Sequence, residues 1–282
     1  MRTLTAVFIG LSIVAVGATS FASEASAQDA LTPYTKDIFS QSIWNGASGP
    51  LVSGSVQAGS SISYDPKGFF TDLQPALSFP FKLTIGNLNT TVNGNHFGPG
   101  NGTVTDGLAG IITQTLDPIN DGEKRFGPTW GLWESQTGPN PTADGLWGAF
   151  ASGDPTSPVP VKGTNTYTGV TMWDATTTTG PIFCLHCSGT LTGNVDFKNK
   201  TASVSIFLDS TYGTLSATGT LAGNSFVLPM TGTLSGSGGT GTLSGALSGT
   251  VYGPKGEQVS GTFIGIISTG EGIVGSFGAE KP

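Results

Sequence analysis

The sequence predicts a mainly β protein with a C-terminal eight-stranded antiparallel β-barrel, preceded by a β-rich, loop-rich and handle-like N-terminal region. Three observations support this fold class. Charged residues are only 10% of the 282 residues and glycine counts 44, a composition that favours strands and short turns over helices. No sustained helical period occurs along the chain. From Gly145 onward, apolar residues and Gly alternate with Ser and Thr at the period of two that half-buried strands show.

The first residues predict export. Arg2 is followed by the apolar run LTAVFIGLSIVAVGA and then by the small-x-small sequence ASA, which would release a mature chain starting at Gln28. The run is too short to cross a bilayer comfortably, and no other stretch approaches ~20 apolar residues. Neither cysteine of the chain lies near the cleavage site, so no lipid acceptor is evident. We therefore expect residues 1–27 to be a signal peptide and the mature protein to be periplasmic, at the cell surface or secreted, without a transmembrane span.

Residues 28–145 are predicted to form short strands separated by long loops. Runs such as SFPFKLTIGN, from Ser78, alternate with turn clusters such as NGNHFGPGNG, from Asn93. Three tryptophans, of which Trp130 and Trp133 are two, cluster with Gly and Pro near the end of this region. Under one interpretation, the three tryptophans cap the core of a sheet. Under the alternative, Trp130 and Trp133 stack on a ligand.

The alternation becomes regular in residues 146–282, which we expect to be the barrel. Counting strands from Leu146 gives about eight, enough to close a barrel filled by its own side chains. The last strand should then pair with Leu146–Phe150 to remove an exposed edge, and Phe263 and Phe277 should lie in the core. The repeated GTLSG units are also compatible with a low-complexity or solenoid segment, but no fixed period of about 20 or more residues holds, which favours the barrel.

Four segments of residues 146–282 carry a family resemblance: GLWGAFASGDPTSPVPVKGTNTYTG from Gly145, SGTLTGNVDFKNKTASVSIFL from Ser188, GPKGEQVSGTF, and the terminal GSFGAEK. In this order they resemble the entry, the next hairpin, the closing hairpin and the end strand of the transferrin-binding protein B type β-barrel. The resemblance implies an exported, non-enzymatic protein that captures a protein, haem or iron-source ligand at or outside the cell surface. It also implies an outer-membrane receptor or an export barrel as a further partner. An adhesive or structural surface protein, binding host or matrix proteins without solute uptake, is the alternative.

Cys184 and Cys187 form the sequence C-L-H-C. In an exported protein this spacing predicts a structural disulfide, although so short a loop constrains the unfolded chain little. Attachment of c-type haem would need a histidine where Ser188 stands, and thioredoxin-like chemistry would need the motif to open a helix. A zinc site built on both cysteines and His186 lacks a fourth ligand in the sequence. Metal and redox roles stay open as alternatives to the disulfide.

The remaining candidate is His96, in the glycine-rich run NGNHFGPGNG. An exposed imidazole there would suit haem iron or another metal, and some secreted proteins of the resembling family bind haem through their N-terminal region. No motif around His96 transfers that role, so an uninvolved loop histidine is the alternative. No resident cofactor or metal is predicted, with haem kept as a hypothesis.

Other classes of function are disfavoured. The chain has a net charge of -7 and no basic clusters. Binding of nucleic acid is therefore disfavoured, because contacts between basic side chains and phosphates supply most of its affinity. The sequence also lacks a nucleophile elbow, a phosphate-binding loop and a dinucleotide-binding glycine motif. No catalytic residue is predicted.

Overall fold

The computed structural model describes the strands of the N-terminal region and nearly all of the C-terminal barrel. The backbone is described for residues 34–36, 40–45, 49–50, 61–64, 78–85, 88–95, 98–105, 108–115, 128–136, 145–153, 160, 162–176, 182–236 and 239–282. Side chains are described for residues 128–133, 148–153, 160, 162–175, 184, 187–235 and 239–282. The predicted signal peptide, residues 1–27, lies outside the described residues.

These residues form eighteen β-strands, and no helix occurs among them. The mainly β fold class is therefore confirmed. In chain order the strands are β1 (Tyr34–Lys36), β2 (Ser40–Asn45), β3 (Gly49–Pro50), β4 (Ser61–Tyr64), β5 (Ser78–Ile85), β6 (Leu88–Asn95), β7 (Gly98–Thr105), β8 (Leu108–Thr115), β9 (Thr129–Gln136), β10 (Gly145–Ser152), β11 (Thr164–Thr176), β12 (Ile182–Asp196), β13 (Thr201–Asp209), β14 (Gly213–Ala222), β15 (Ser225–Gly236), β16 (Gly239–Tyr252), β17 (Gln258–Ile267) and β18 (Gly272–Glu280).

The strands divide into two five-stranded sheets and one barrel. The first sheet has the order β1-β4-β5-β6-β7, and the second has the order β3-β2-β10-β9-β8. Strands β11 to β18 form a closed barrel in which each strand pairs antiparallel with the next. The predicted eight-stranded antiparallel barrel is therefore confirmed.

The predicted closing partner of the last strand is wrong. Strand β18 pairs with Thr168–Thr176 of β11, whereas Leu146–Phe150 belongs to β10 and pairs with β2 and β9 in the second sheet. The cause is that β10 is buried on both faces, since Phe150 on one face and Ala149 on the other are both inaccessible. Such a strand has the composition of a barrel strand whichever sheet it joins. The barrel begins at Thr164, and the division of the chain into domains at residue 145 stays a prediction.

Large side chains and glycines share the inside of the barrel. Phe263 and Phe277 are fully buried, as predicted. Phe277 lies opposite Gly261, and Gly261 lies opposite Gly249 on the next strand. A Cβ atom on Gly261 would lie 2.6 Å from Cζ of Phe277, so the absence of a side chain there makes room for the ring. The interior is filled by the protein's own side chains, as is usual for eight strands.

The turn between β16 and β17 covers one end of the barrel. Tyr167 Oη donates a hydrogen bond to the carbonyl of Gly256 (2.7 Å), and Asn165 Nδ2 donates to the same carbonyl and to that of Lys255 (2.8 Å each). Gly253 and Gly256 have φ of 84° and 65°, a backbone region that glycine enters without steric cost. The turn is thus fixed to the first barrel strand, about ninety residues earlier in the chain.

The buried Tyr167 predicts a loss of stability at alkaline pH. Burial raises its pKa from 10.0 to about 12, so the unfolded chain loses the phenolic proton before the folded chain does. The stabilisation is complete below pH 10.0 and is lost as the pH rises towards about 12, which amounts to about 3 kcal/mol in the free energy of unfolding. Urea unfolding across this range should show the decline, and Tyr167→Phe should flatten it while costing about 1 kcal/mol at neutral pH. An identical pH dependence in both proteins would contradict the assignment.

Candidate functional site

The outer surface of the barrel has an open half, formed by β12 to β16. Most outward positions here are hydroxyl side chains, because the strands alternate Ser or Thr with buried apolar residues. One row of directly opposed residues crosses all five strands: Thr190, Phe207, Thr214, Thr233 and Thr242. The acidic residues of these strands, Asp196 and Asp209, stand at strand ends. The open half is therefore an uncharged face.

Two large apolar side chains interrupt this uncharged face. Phe207 is 47% exposed and Val227 is 65% exposed. Single exposed apolar residues are common on protein surfaces. Phe207 lies in one row with Thr233, which is six residues from Val227 along β15, so the two apolar side chains are separate from each other on this face.

The other half of the barrel's outer surface is covered by the second sheet. Trp130 and Leu132 of β9 pack with Ala149 of β10 against the barrel residues Ile264 and Val274, and all five are buried. The six-membered ring of Trp130 lies on Gly278, where a Cβ atom would come within 2.5 Å of Trp130 Cε3. The N-terminal region and the barrel are therefore joined through a buried interface, which we call the seam.

The seam also buries hydroxyl groups. Ser248 and Thr262 share a hydrogen bond of 3.2 Å between their hydroxyl oxygens. Trp130 Nε1 and Ser276 Oγ are buried and have no hydrogen-bond partner within the described part of the chain. Buried polar groups without partners are costly. Hydroxyl groups are thus common on both halves of the barrel's outer surface, the covered half and the open half.

The two predicted ligand-stacking tryptophans lie on opposite faces of one strand. Trp130 faces the barrel, whereas Trp133 lies against Gly148 on the neighbouring strand, where a Cβ atom would contact its indole ring. Their exposed fractions are 0% and 1%. The structure therefore does not bring them together, and their burial agrees with the core-capping interpretation. Their role as ligand contacts stays a prediction, as does that of His96, which lies outside the described residues.

The predicted disulfide between Cys184 and Cys187 is confirmed. It lies within β12, opposite Trp173 and Ala175 of β11, at a point where the register of the two strands shifts. Cys184 is buried in the barrel core and Cys187 is half-buried. Trp173 packs edge-on to Tyr212, with ring centroids 5.0 Å apart. The sequence analysis did not predict the pair of Trp173 and Tyr212. One signal was available for Trp173: it lies six residues after Tyr167, and therefore on the same face of the strand as that residue.

Candidate metal ligands are not grouped within the described residues. No group of three His, Cys, Asp or Glu side chains in this part of the chain is placed to hold a metal ion. Both cysteine sulfurs are held in the disulfide, so in this form they are not thiolate ligands. None of the described segments is a helix long and apolar enough to cross a membrane.

The barrel region is similar to a known protein family. Residues 159–281 match the family model of the C-lobe and N-lobe beta barrels of Tf-binding protein B. Among solved structures, transferrin binding protein B from Actinobacillus pleuropneumoniae is 18% identical, with 59% of this chain and 81% of that chain covered and a TM-score of 0.36. The isotype 1 protein from serogroup B Neisseria meningitidis is 14% identical, with 90% and 45% covered and a TM-score of 0.47. A surface lipoprotein is 17% identical, with 55% and 76% covered and a TM-score of 0.38. No protein of curated function matches the sequence.

Proposed function

We propose that the chain is an exported, non-enzymatic protein that captures a protein ligand at or outside the cell surface, because residues 159–281 match the family model of the barrels of Tf-binding protein B. The match of these residues to the barrel family carries the proposal. Export rests on the predicted signal peptide, residues 1–27. The mature chain then acts in the periplasm, at the cell surface or in the medium, where an outer-membrane receptor or export barrel is its further partner.

The packing of the barrel supports an external binding site. The interior is occupied by buried side chains such as Phe263 and Phe277, and a barrel filled in this way has no room for a ligand between its strands. Half of the outer surface is covered by the second sheet. Binding therefore falls on the loops, on the N-terminal region, or on the uncharged face of β12 to β16.

Direct binding measurements test the proposal. The purified mature chain, residues 28–282, should bind immobilised transferrin saturably, since transferrin is the ligand named for the similar proteins. Lack of saturable binding to iron-loaded and iron-free transferrin would remove transferrin as the ligand. Phe207→Ser and Val227→Ser provide a matched comparison, because both change exposed residues of the uncharged face and leave the loops intact. A loss of binding in these two variants would place the contact on the barrel face, and full retention would place it on the loops or the N-terminal region.

The haem version of the proposal has its own test. Titration of haem into residues 28–282 should produce a shifted Soret band if His96 ligates the iron. The matched control is His186→Ala, since His96 and His186 are the only histidines in the chain. We expect His96→Ala to abolish the shifted band and His186→Ala to retain it. No shifted band in the unmodified chain, or an unchanged band in His96→Ala, would contradict haem ligation by His96.

An adhesive or structural surface protein is the second candidate. The uncharged face, with Phe207 and Val227 exposed, favours it, because contact with another macromolecule needs surface and not a pocket. This candidate predicts adhesion to immobilised matrix proteins in the absence of transferrin or haem binding. Adhesion that is lost in Phe207→Ser would support it, whereas binding of transferrin alone would exclude it.

A further inference from the structure

One end of the barrel contains every lysine of the barrel region. Because each barrel strand runs antiparallel to the next, the start of β11, the turns after β12, β14 and β16, and the end of β18 lie at the same end. Residues 159–282 contain five lysines and no arginine. All five lysines belong to this end and are exposed: Lys162, Lys198, Lys200, Lys255 and Lys281. We call it the lysine end.

Hydrogen bonds and packing hold the segments of the lysine end together. The backbone N–H of Phe197 donates to the carbonyl of Gly163 (3.0 Å). The ring of Phe197 lies against the turn between β16 and β17, since a Cβ atom on Gly256 would be 2.7 Å from its Cζ atom. The backbone N–H of Lys281 donates to the carbonyl of Glu257 beside the same turn (2.9 Å). These contacts bring the segments that carry the five lysines onto one continuous surface.

Two of the three carboxylates at the lysine end are held by their own turns. Asp196 accepts hydrogen bonds from the backbone N–H and the side-chain amide of Asn199 (2.9 and 2.8 Å), and these bonds lower its pKa. Glu257 accepts a hydrogen bond from the backbone N–H of Lys255 (3.0 Å). With Glu280, three carboxylates stand against five ammonium groups among the described side chains of this end. The lysine end therefore has an excess of positive charge.

The opposite end of the barrel is acidic. Asp209 ends β13, Glu271 precedes β18 and Asp174 lies two residues before the end of β11, whereas no described residue of that end is a lysine or an arginine. Strand β17 has 10 residues, which corresponds to about 33 Å along the strand and, at the usual tilt, to roughly 25 Å between the two ends. Charges more than about 8 Å apart are largely screened at physiological ionic strength. The lysine end therefore acts on a partner independently of the net charge of -7.

The chemistry of the lysine end fits a diffuse negative surface. Lysine is a point charge on a flexible stem, whereas arginine supplies the planar fork that binds a single phosphate or carboxylate through two hydrogen bonds. The end has lysines and no arginine. Its described turns also expose no large apolar side chain, since Phe197 and Tyr252 are buried. A contact made here is therefore electrostatic and reversible, without insertion of apolar groups into the partner.

We propose that the lysine end is a docking surface for a membrane that contains anionic phospholipids, and that the barrel stands on this membrane with its acidic end outward. Clustered lysines are attracted to an anionic membrane over about one Debye length. In this orientation the strands run away from the membrane, so the uncharged face of β12 to β16 stays accessible to a ligand. Docking does not depend on which ligand the chain captures, so its failure and that of the proposed function are distinguishable.

Cosedimentation with vesicles tests the docking surface. The mature chain, residues 28–282, is mixed with vesicles of phosphatidylcholine alone or of equal parts of phosphatidylcholine and phosphatidylglycerol. The test variant neutralises the lysine end, with Asn at position 200 because the backbone there has φ of 53°, which Asn tolerates. Its substitutions are Lys162→Gln, Lys198→Gln, Lys200→Asn, Lys255→Gln and Lys281→Gln. The matched control removes the same number of positive charges from the rest of the mature chain: Lys36→Gln, Lys67→Gln, Lys82→Gln, Lys124→Gln and Arg125→Gln.

We expect the unmodified chain to bind only the vesicles that contain phosphatidylglycerol, and to be released by high salt. Since one lysine contributes roughly fivefold to affinity at an anionic membrane, the affinity should fall by more than about 100-fold in the test variant and by less than about 10-fold in the control. Arginine at the same five positions should retain binding, because the charge is retained. Binding to neither kind of vesicle, or equal losses in the test and control variants, would overturn the proposal. Binding to immobilised polyglutamate but not to vesicles would also overturn it, since the partner would then be an acidic protein.

The orientation on the vesicle is measured separately. A polarity-sensitive dye is attached to Ala222→Cys, at an exposed position of the lysine end, or to Ser210→Cys, at an exposed position of the acidic end. The two native cysteines are held in the disulfide, so the introduced thiol alone reacts with the dye. Emission from position 222 should shift to shorter wavelength when vesicles with phosphatidylglycerol are added, and emission from position 210 should not change. No shift at position 222, or equal shifts at both positions, would contradict the docking orientation and overturn the proposal.

Discussion

Replacing Phe277 with alanine is expected to lower the free energy of unfolding of the barrel by about 3–5 kcal/mol. The ring is fully buried and fills the space left by Gly261 and Gly249, from whose Cβ positions its Cζ atom would be 2.6 and 3.2 Å away. These glycines have no side chains with which to fill the cavity. Since the net stability of a domain is about 5–15 kcal/mol, the loss is a large part of the total.

Urea unfolding followed by circular dichroism measures the effect of Phe277→Ala. Val227→Ala is the matched control, because it also truncates an apolar side chain of a barrel strand but at a position that is 65% exposed. The control should change the free energy of unfolding by about 0.5 kcal/mol or less. Similar losses in the two variants would show that the ring does not fill the core as described.

Trp130→Ala is expected to separate the second sheet from the barrel, at a cost of about 3–5 kcal/mol. The indole is fully buried at the seam and lies on Gly278 of β18, so its removal leaves a cavity between two rigid sheets. Because the ring contacts only the outside of the barrel, the inner core should stay intact. Hydrogen exchange should therefore increase in β9 and β10 and in the barrel strands β17 and β18 that contact them, and much less in β13 to β15.

A second variant approaches the same contact from the barrel side. Gly278→Ala introduces a methyl group within 2.5 Å of Trp130 Cε3, and such overpacking costs about 1–3 kcal/mol. It should loosen the same peptides as Trp130→Ala although it removes no apolar surface. Loss of protection throughout the barrel in both variants would show that the seam and the barrel core unfold as one unit.

The barrel was predictable because its signal is local. Alternation of Leu, Ile or Phe with Gly on one face and Ser or Thr on the other fixes strand, face and register together. Strand β10 was assigned to the barrel wrongly, because residues such as Ala149 and Phe150 are buried on both faces and give no indication of which sheet they join. The seam was not predictable for a related reason, since it depends on Trp130 meeting Gly278, two residues far apart in the chain.

The disulfide was also only partly predictable from the sequence. Spacing and the predicted export indicated a bridge between Cys184 and Cys187, but not that it lies inside a barrel strand. The register shift arises from the pairing of β12 with β11, and a motif of four residues contains no information about its partner strand. The sequence around His96 has no motif that assigns a role to this residue, so its role in binding depends on the experiments proposed above.

The closing pair of the barrel has a consequence for how the protein assembles. Seven of the eight strand pairs join neighbours in the chain, whereas β11 and β18 are brought together from its two ends. The hydrogen bond from Thr171 Oγ1 to the carbonyl of Ser276 spans 105 residues. Pairs so distant in sequence are slow to form, because loop closure costs entropy before any contact repays it. A barrel in which β18 has not yet paired would have two open sheet edges, and such edges are prone to association. The last strand therefore sets the length of time for which the nascent chain needs protection.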